Sequence, residues 1–463
     1  MLISIIIPLI TAIIIGLLVK LNKDHWLFIS FTALLVNIAI LVNSLLKQSL
    51  PQLHRMGQWD SSIGITLEFT QWGVIFLISF NIIVAIALIY ARSYSELMKP
   101  KFFLFILLLL FSASSWVVTQ DIFNMYVFLE ITSVLAYALV AFKDSKYCIE
   151  AAIKYLLTGS VGGVLILSSI LIVYFNTGHL NINLAMAEFS NADLTTQFIF
   201  WALIITGSLA KAGAVPMHFW LPDVYMSATT PVNVLSSGII IKLNILTLYK
   251  LFNASQLNIE LLHSLNIIML SIGFITILFG HFAAHQQTDL RRMIAYSTVA
   301  QIGYIIISLF YGTSGYIGSF AHIIAHTFLK ALLFLAVGIM GGRSISEVRG
   351  LGRVAKIPAI AFTIGAIGLI GIPPYSAFSS KWLIMRSLLE FNLLLPALVI
   401  PLGTVIATIY YLKVIISLWS KKELVSTPKR DIFAHKAIYI TIFMVILTSE
   451  LVPYLQSVSS GGI

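Results

Sequence analysis

Charge is scarce in this chain. Of its 463 residues only 10% are Asp, Glu, Lys or Arg, whereas soluble domains carry about a quarter. So little charge cannot solvate a surface, and with 59% hydrophobic residues and a mean hydropathy of +0.98, lipid must cover much of the chain. Cysteine is nearly absent. The single Cys148 excludes a disulfide framework and a cysteine-held iron–sulfur cluster within the chain. There is no P-loop, Rossmann fingerprint, haem ligand set or nucleophile triad. No cofactor, metal, redox or hydrolytic site is therefore expected here, which leaves open whether the chain works inside a larger enzyme. Residues 2–19 lack a preceding basic region and a small-residue cleavage motif, so they read as a spanning helix and not as a removable signal. The net charge of +10 would suit a nucleic-acid partner, but the excess sits between apolar runs, as membrane topology requires, and no nucleic acid is expected.

What is present is a series of apolar runs long enough to span a bilayer. They fall near 2–19, 26–46, 72–91, 102–119, 122–142, 155–175, 197–217, 230–249, 264–284, 294–311, 316–340, 357–385, 392–419 and 437–456. The spacing predicts an all-α, polytopic membrane protein of about fourteen helices. It forms one membrane domain over 1–463, and the longest polar connection is about 47–71. Connections after odd-numbered helices hold 19 Lys and Arg, those after even-numbered helices 4. The positive-inside rule then places the odd connections, among them 92–101, 343–356 and 420–436, in the cytoplasm of a cell whose inner or plasma membrane holds the chain. Both termini lie outside.

Five lysines fall inside predicted helices: Lys211, Lys242, Lys330, Lys381 and Lys413. One acid, Glu130, joins them. Each such charge costs about 2.5–3.5 kcal/mol on insertion scales. Together they would outweigh the roughly 5–15 kcal/mol of net stability of a typical domain. They must be paired, hydrated or neutral, and ionisable groups at membrane depth are functional candidates. Two runs are also broken: helix seven carries Lys211 with Pro216 and Pro222, and helix twelve carries Pro373, Pro374 and Lys381. Proline removes a backbone donor, and unpaired backbone at that depth is tolerated only inside protein or beside water. The breaks lie five helices apart, as do Lys242 and Lys413. Helices one to three (about 1–91) then precede two inverted five-helix repeats, at about 102–250 and 264–419, and helix fourteen (about 437–456) follows. Paired discontinuous helices in inverted repeats mark a transport site.

Each motif admits two readings. In Asp121-Ile-Phe-Asn-Met-Tyr-Val-Phe-Leu-Glu130 the glutamate is a proton-binding acid beside a lysine, or half of a structural ion pair. Lys211, in Gly207-Ser-Leu-Ala-Lys211-Ala-Gly-Ala-Val-Pro-Met-His-Phe-Trp-Leu-Pro-Asp223, can switch proton affinity with the distance of an acid; its depth argues against snorkelling. His218 and Asp223 read as mainly structural groups near the membrane surface, with lining of the entry path as the alternative. His322, His326 and Lys330 share one face of helix eleven. They form a proton relay, histidines bonded to carbonyls, or, least favoured, a metal site. Lys413, after Tyr410-Tyr411, is either central or reaches for the interface. Ser160, Ser208, Ser236, Ser237, Asn244, Thr298, Gln301 and Thr327 could hold water.

These segments, with Asp289-Leu-Arg-Arg-Met-Ile-Ala-Tyr-Ser-Thr-Val-Ala-Gln-Ile-Gly303, His322–Leu335 and Ile372-Pro-Pro-Tyr-Ser-Ala-Phe-Ser-Ser-Lys381, resemble one family over nearly the whole chain. It is the antiporter-like membrane subunits of respiratory complex I, membrane-bound hydrogenases and Mrp-type sodium/proton antiporters. The resemblance implies a proton-translocating subunit that works with other membrane subunits in the lipid bilayer, with protons and, in an antiporter, Na+ as the ions. Residues 121–141 lean toward the Mrp D subunit and its hydrogenase counterpart; His218 to Asp223 lean toward complex I and hydrogenases. The resemblance pairs Glu130 with Lys211, makes Lys242 the central lysine, continues through His322, His326 and Lys330, and ends at Lys381. Thr229 and Ala377 depart from the family's usual proline and glycine. An inactive membrane scaffold is the remaining alternative, and the intact set of titratable groups argues against it.

Overall fold

The computed structural model describes residues 1–18, 23–47, 49–342, 344–421, 431–450 and 453. The far ends of the first and last apolar runs, and parts of the connections at 343–356 and 420–436, lie outside the described residues. Among the described residues each predicted run holds helix. Among the described residues eleven helices are long and apolar enough to cross a membrane. Leu2–Leu17 and Lys356–Ile370 are shorter apolar helices.

The helix ends follow from local chemistry. Side-chain oxygens of Asp121, Ser145, Asn181, Asp289 and Asp431 accept from backbone N–H groups that begin their helices. Gly178, Gly341 and Gly371 stop helices in the left-handed conformation. Both expected helix breaks are present, and one connection differs from the sequence reading. The 197–217 run is not one helix: Leu194–Ala212 ends at Gly213 (φ 78°), and helix resumes at Trp220–Ser227. The 357–385 run likewise splits into Lys356–Ile370 and Ser376–Glu390. The polar connection at 47–71 holds a hairpin, Gln52–Arg55 paired antiparallel with Thr66–Phe69, and Gln120 N–H donates to the Thr66 carbonyl at 2.8 Å.

Contacts divide the chain into two compact units. The first holds 1–88, 94–212 and 239–265; the second holds 89–93, 213–238 and 266–463. In the first, the Lys146–Thr177 helix packs closely on Leu194–Ala212, and Pro100–Val118 on Ile122–Val140. In the second, Gly312–Met340 packs against Leu290–Ser308, Lys356–Ile370 and Ser376–Glu390. The 18-residue apolar window of Gly312–Met340 is 100% buried in protein, whereas that of Asp24–Leu46 is 28% buried. Protein, not lipid, thus surrounds the helix that carries His322, His326 and Lys330.

Candidate functional site

In the first unit Asp121 fixes the start of the Ile122–Val140 helix by accepting from Asn124 N–H at 2.6 Å. That start sets Glu130 near mid-helix. Lys211 lies in the last turn of Leu194–Ala212, just before the break. Its Nζ donates to Glu130 Oε1 at 2.7 Å. The lysine is 2% exposed and the glutamate 27%. A charge-assisted bond of that length is among the stronger polar contacts. Lys146–Thr177 makes room for it. A methyl on Gly162 would come within 2.7 Å of Lys211 Cγ, and one on Gly163 would collide with the Glu130 carboxylate. Two adjacent glycines therefore let one helix backbone press against both members of the pair.

Lys242 is wholly buried. It sits in the first turn of Ile241–Ala254, directly after a π-helical turn at Ser236–Ile240. Such turns concentrate at functional sites. Farther along this helix, Lys250 Nζ donates to the Val117 and Thr119 carbonyls at 2.8 Å each and to the Trp116 carbonyl at 3.3 Å, and stands 5.1 Å from the Trp116 ring centre. It thereby closes the C-terminal end of Pro100–Val118, where a cation is favoured by the helix dipole.

In the second unit Lys381 does the corresponding thing across a helix break. Its Nζ donates to the Leu369 and Ile370 carbonyls at 2.8 and 3.1 Å, the last carbonyls of Lys356–Ile370. It also lies 4.7 Å from the centre of the Tyr304 ring. One residue earlier, Ser380 Oγ lies 2.9 Å from His322 Nδ1, and His322 Nε2 lies 2.9 Å from Gln301 Oε1. The His326 ring centre is 6.4 Å from that of His322. Lys330 Nζ donates to the Ile294 carbonyl at 2.9 Å and to the Ser297 hydroxyl. Ser297 Oγ is 3.0 Å from the Tyr411 hydroxyl. Asp289 caps Leu290–Ser308 as Asp121 caps Ile122–Val140. Relative to these caps, Thr298 holds the place of Glu130.

The structure therefore joins Glu130 to Lys211 and gathers His322, His326, Lys330 and Lys381 in the second unit. Lys413 is not brought to these groups; its side chain is exposed. His218 is half-buried, its ring centre 4.5 Å from that of Phe279, and Asp223 is half-buried as well. Sequence reasoning misses four contributors. Gly162-Gly163 shows only as small residues in an apolar run. Lys250 falls among the connection charges because the apolar run stops at 249. Tyr304 flanks the 289–303 motif and is one tyrosine among many. His281 belongs to no motif that the sequence shows, and its partners are distant in sequence: its Nε2 is 3.0 Å from the Tyr304 hydroxyl and its Nδ1 is 3.2 Å from that of Tyr410.

The family described as NADH:quinone oxidoreductase/Mrp antiporter, TM, matches residues 119–407. The N subunit of the NADH-quinone oxidoreductase of Desulforudis audaxviator is 31% identical over 429 residues, covering 89% of this chain and 84% of that protein. The D subunit of the Na(+)/H(+) antiporter of Alkalihalophilus pseudofirmus is 28% identical, covering 86% and 83%. A chain of an archaeal membrane-bound sulfane sulfur reductase superposes with a TM-score of 0.92 at 25% identity, covering 99% of this chain and 96% of its own length. A chain of the Mrp complex from a Dietzia species superposes with a TM-score of 0.86 at 21% identity, covering 98% and 96%.

Proposed function

This chain belongs to the NADH:quinone oxidoreductase/Mrp antiporter transmembrane family, and from that premise we propose that it is the proton-translocating, antiporter-like subunit of a multisubunit membrane complex. The observation that carries the proposal is the Lys211–Glu130 pair at membrane depth. In this reading the contact is an ion pair, a Lys211 ammonium held by the Glu130 carboxylate. A proton arriving at Glu130 neutralises the acid and frees Lys211. The freed lysine passes its proton toward Lys242. In the second unit His322, His326, Lys330 and Lys381 carry the proton onward. Lys413 is left out of this set because its side chain faces outward.

The parent complex is a Mrp-type cation/proton antiporter, with this chain in the place of the D subunit; the 28% identity over 86% of the chain supports that choice. A second reading is a redox-driven relative, and the 31% identity to an N subunit and the TM-score of 0.92 favour it. The complex sits in the inner or plasma membrane, with other membrane subunits beside this chain and both of its termini outside. The test is proton uptake by vesicles holding the intact complex. Glu130→Gln and Lys211→Ala should each abolish it at normal protein level. Near wild-type uptake by either variant across a range of pH would overturn the mechanism. An imposed sodium gradient that drives uptake supports the Mrp reading; uptake driven only by electron transfer supports the second.

A further inference from the structure

His281 is absent from the route just described, yet it is wholly buried and held at both ring nitrogens. A neutral imidazole donates from one nitrogen and accepts at the other. Two flanking hydroxyls, 3.0 and 3.2 Å away, therefore fit a ring that takes a proton on one side and releases one on the other. What flanks the triplet gives it direction. On the Tyr410 side, the Tyr410 and Tyr411 rings lie 4.6 Å apart, Tyr411 OH is 3.0 Å from Ser297 Oγ, and Ser297 accepts from Lys330. On the Tyr304 side, Lys381 stands over the phenol ring. The protein also keeps the space free: a methyl on Gly403 would come within 3.0 Å of His281 Nε2 and would collide with the Tyr304 hydroxyl. A histidine serving only to fill a core would need one satisfied nitrogen pair; it would not need lysines at both ends of its hydrogen-bonded neighbours.

We propose that Tyr410, His281 and Tyr304 form a second proton branch between Lys330 and Lys381, parallel to the one through His322. The inference rests on the proton-translocating reading given above. In the transfer, the Lys330 ammonium gives a proton to the Ser297–Tyr411–Tyr410 hydroxyls, each oxygen gaining one and losing one. Tyr410 delivers a proton to His281 Nδ1 while Nε2 releases its own to the Tyr304 oxygen. Tyr304 gives its former hydroxyl proton to a neutral Lys381 amine that has moved from above the ring to its edge. Lys330 ends as the amine, Lys381 as the ammonium, and the imidazole as the other tautomer.

The experiment uses the whole complex in vesicles, with proton uptake as the readout and Lys211→Ala as a control for the underlying reading. His281→Ala alone should lower the rate about twofold, because one of two branches is lost. His281→Ala combined with His322→Ala should lower it about a hundredfold, the scale of losing positioned proton transfer. Added imidazole should restore part of the lost rate in His281→Ala, a recovery that a purely structural role would not give. Tyr304→Phe and Tyr410→Phe keep ring volume while removing the hydroxyls, so they answer the question if His281→Ala fails to assemble; each should match the twofold loss. An unchanged rate in these variants, alone and with His322→Ala, while Lys211→Ala abolishes uptake, would overturn the second branch and leave the reading intact. Complete loss in His281→Ala or either phenylalanine variant alone would make the route serial and overturn the two-branch assignment. Unchanged uptake in Lys211→Ala would sink the reading itself.

Discussion

Lys211 and Lys381 stand beside the breaks of two interrupted helices, but they rest on different partners. Lys211 meets a carboxylate at 2.7 Å. Lys381 meets the two terminal carbonyls of the half-helix before its break and the face of a tyrosine. A carboxylate can be switched off by one proton; a helix end cannot. The first unit therefore holds a lysine whose environment can change by a full charge, while Lys381 sits in a fixed field. The helix caps sharpen the contrast. Asp121 and Asp289 start their helices in the same way, yet the first leads to Glu130 and the second to Thr298, whose hydroxyl donates to the Ile294 carbonyl at 2.9 Å.

This contrast can be broken in order of expected effect. The largest change comes from the pair itself. Losing one partner of a buried ion pair costs about 3–5 kcal/mol, whereas replacing both is often nearly neutral. Glu130→Gln with Lys211→Met should therefore melt at a higher temperature in detergent than Glu130→Leu alone, although both should be inactive in vesicles. A lower melting temperature for the double variant would mean that the pair is not an isolated electrostatic unit. Next is Gly163→Ala, which removes no titratable group but sets a methyl against the Glu130 carboxylate. Overpacking of this kind costs about 1–3 kcal/mol, and uptake should fall steeply. The same change at Gly178, where nothing lies within 4 Å, should cost some stability because its φ of 69° disfavours a Cβ, but should leave uptake unaltered.

For Lys381 the fixed field predicts a graded response. Lys381→Met removes a cation from a helix C-terminus, worth at most about 2 kcal/mol in a buried setting, so thermal stability should drop less than in Glu130→Leu while uptake is lost. If instead the two variants lose equal stability, the difference between a carboxylate and a helix end as partners disappears. Lys250→Met, which opens the end of Pro100–Val118, should cost a similar amount in melting temperature and leave uptake at least half of wild-type. The smallest effect belongs to Lys413→Ala: with an exposed side chain, stability should stay within about 0.5 kcal/mol of wild-type and uptake should be unchanged.

Much of this is legible in the residues. The apolar runs mark the helices, because nothing but helix satisfies a backbone at membrane depth. The lone acid among five lysines points to Glu130, and the prolines locate both breaks. Phase and partnership cannot be read in the same way. Lys413 and Tyr411 lie two positions apart, and only packing decides that the tyrosine turns inward and the lysine outward. Lys250 looks like a connection charge because hydropathy ends before the helix does; the helix continues to Ala254 and carries the ammonium to the open carbonyls of another helix. His281 depends on hydroxyls from two other helices, a coincidence in space that no spacing along the chain encodes. The short helix Ile182–Phe189 hides within a connection, since eight residues are too few for a periodic signal.

The buried helix Gly312–Met340 also has a history in synthesis. It enters the membrane with Lys330 and His322 already needing partners. Ile294, Ser297 and Gln301 have been made before it, so Lys330 and one nitrogen of His322 can be satisfied at once by the preceding helix. Ser380, the partner of the other nitrogen, emerges more than a full helix later. At about 5–20 residues per second of elongation, Ser380 follows His322 on the order of several seconds later. The order of the helices along the chain thus lets the most costly group, the lysine, settle first and leaves the cheaper imidazole for last.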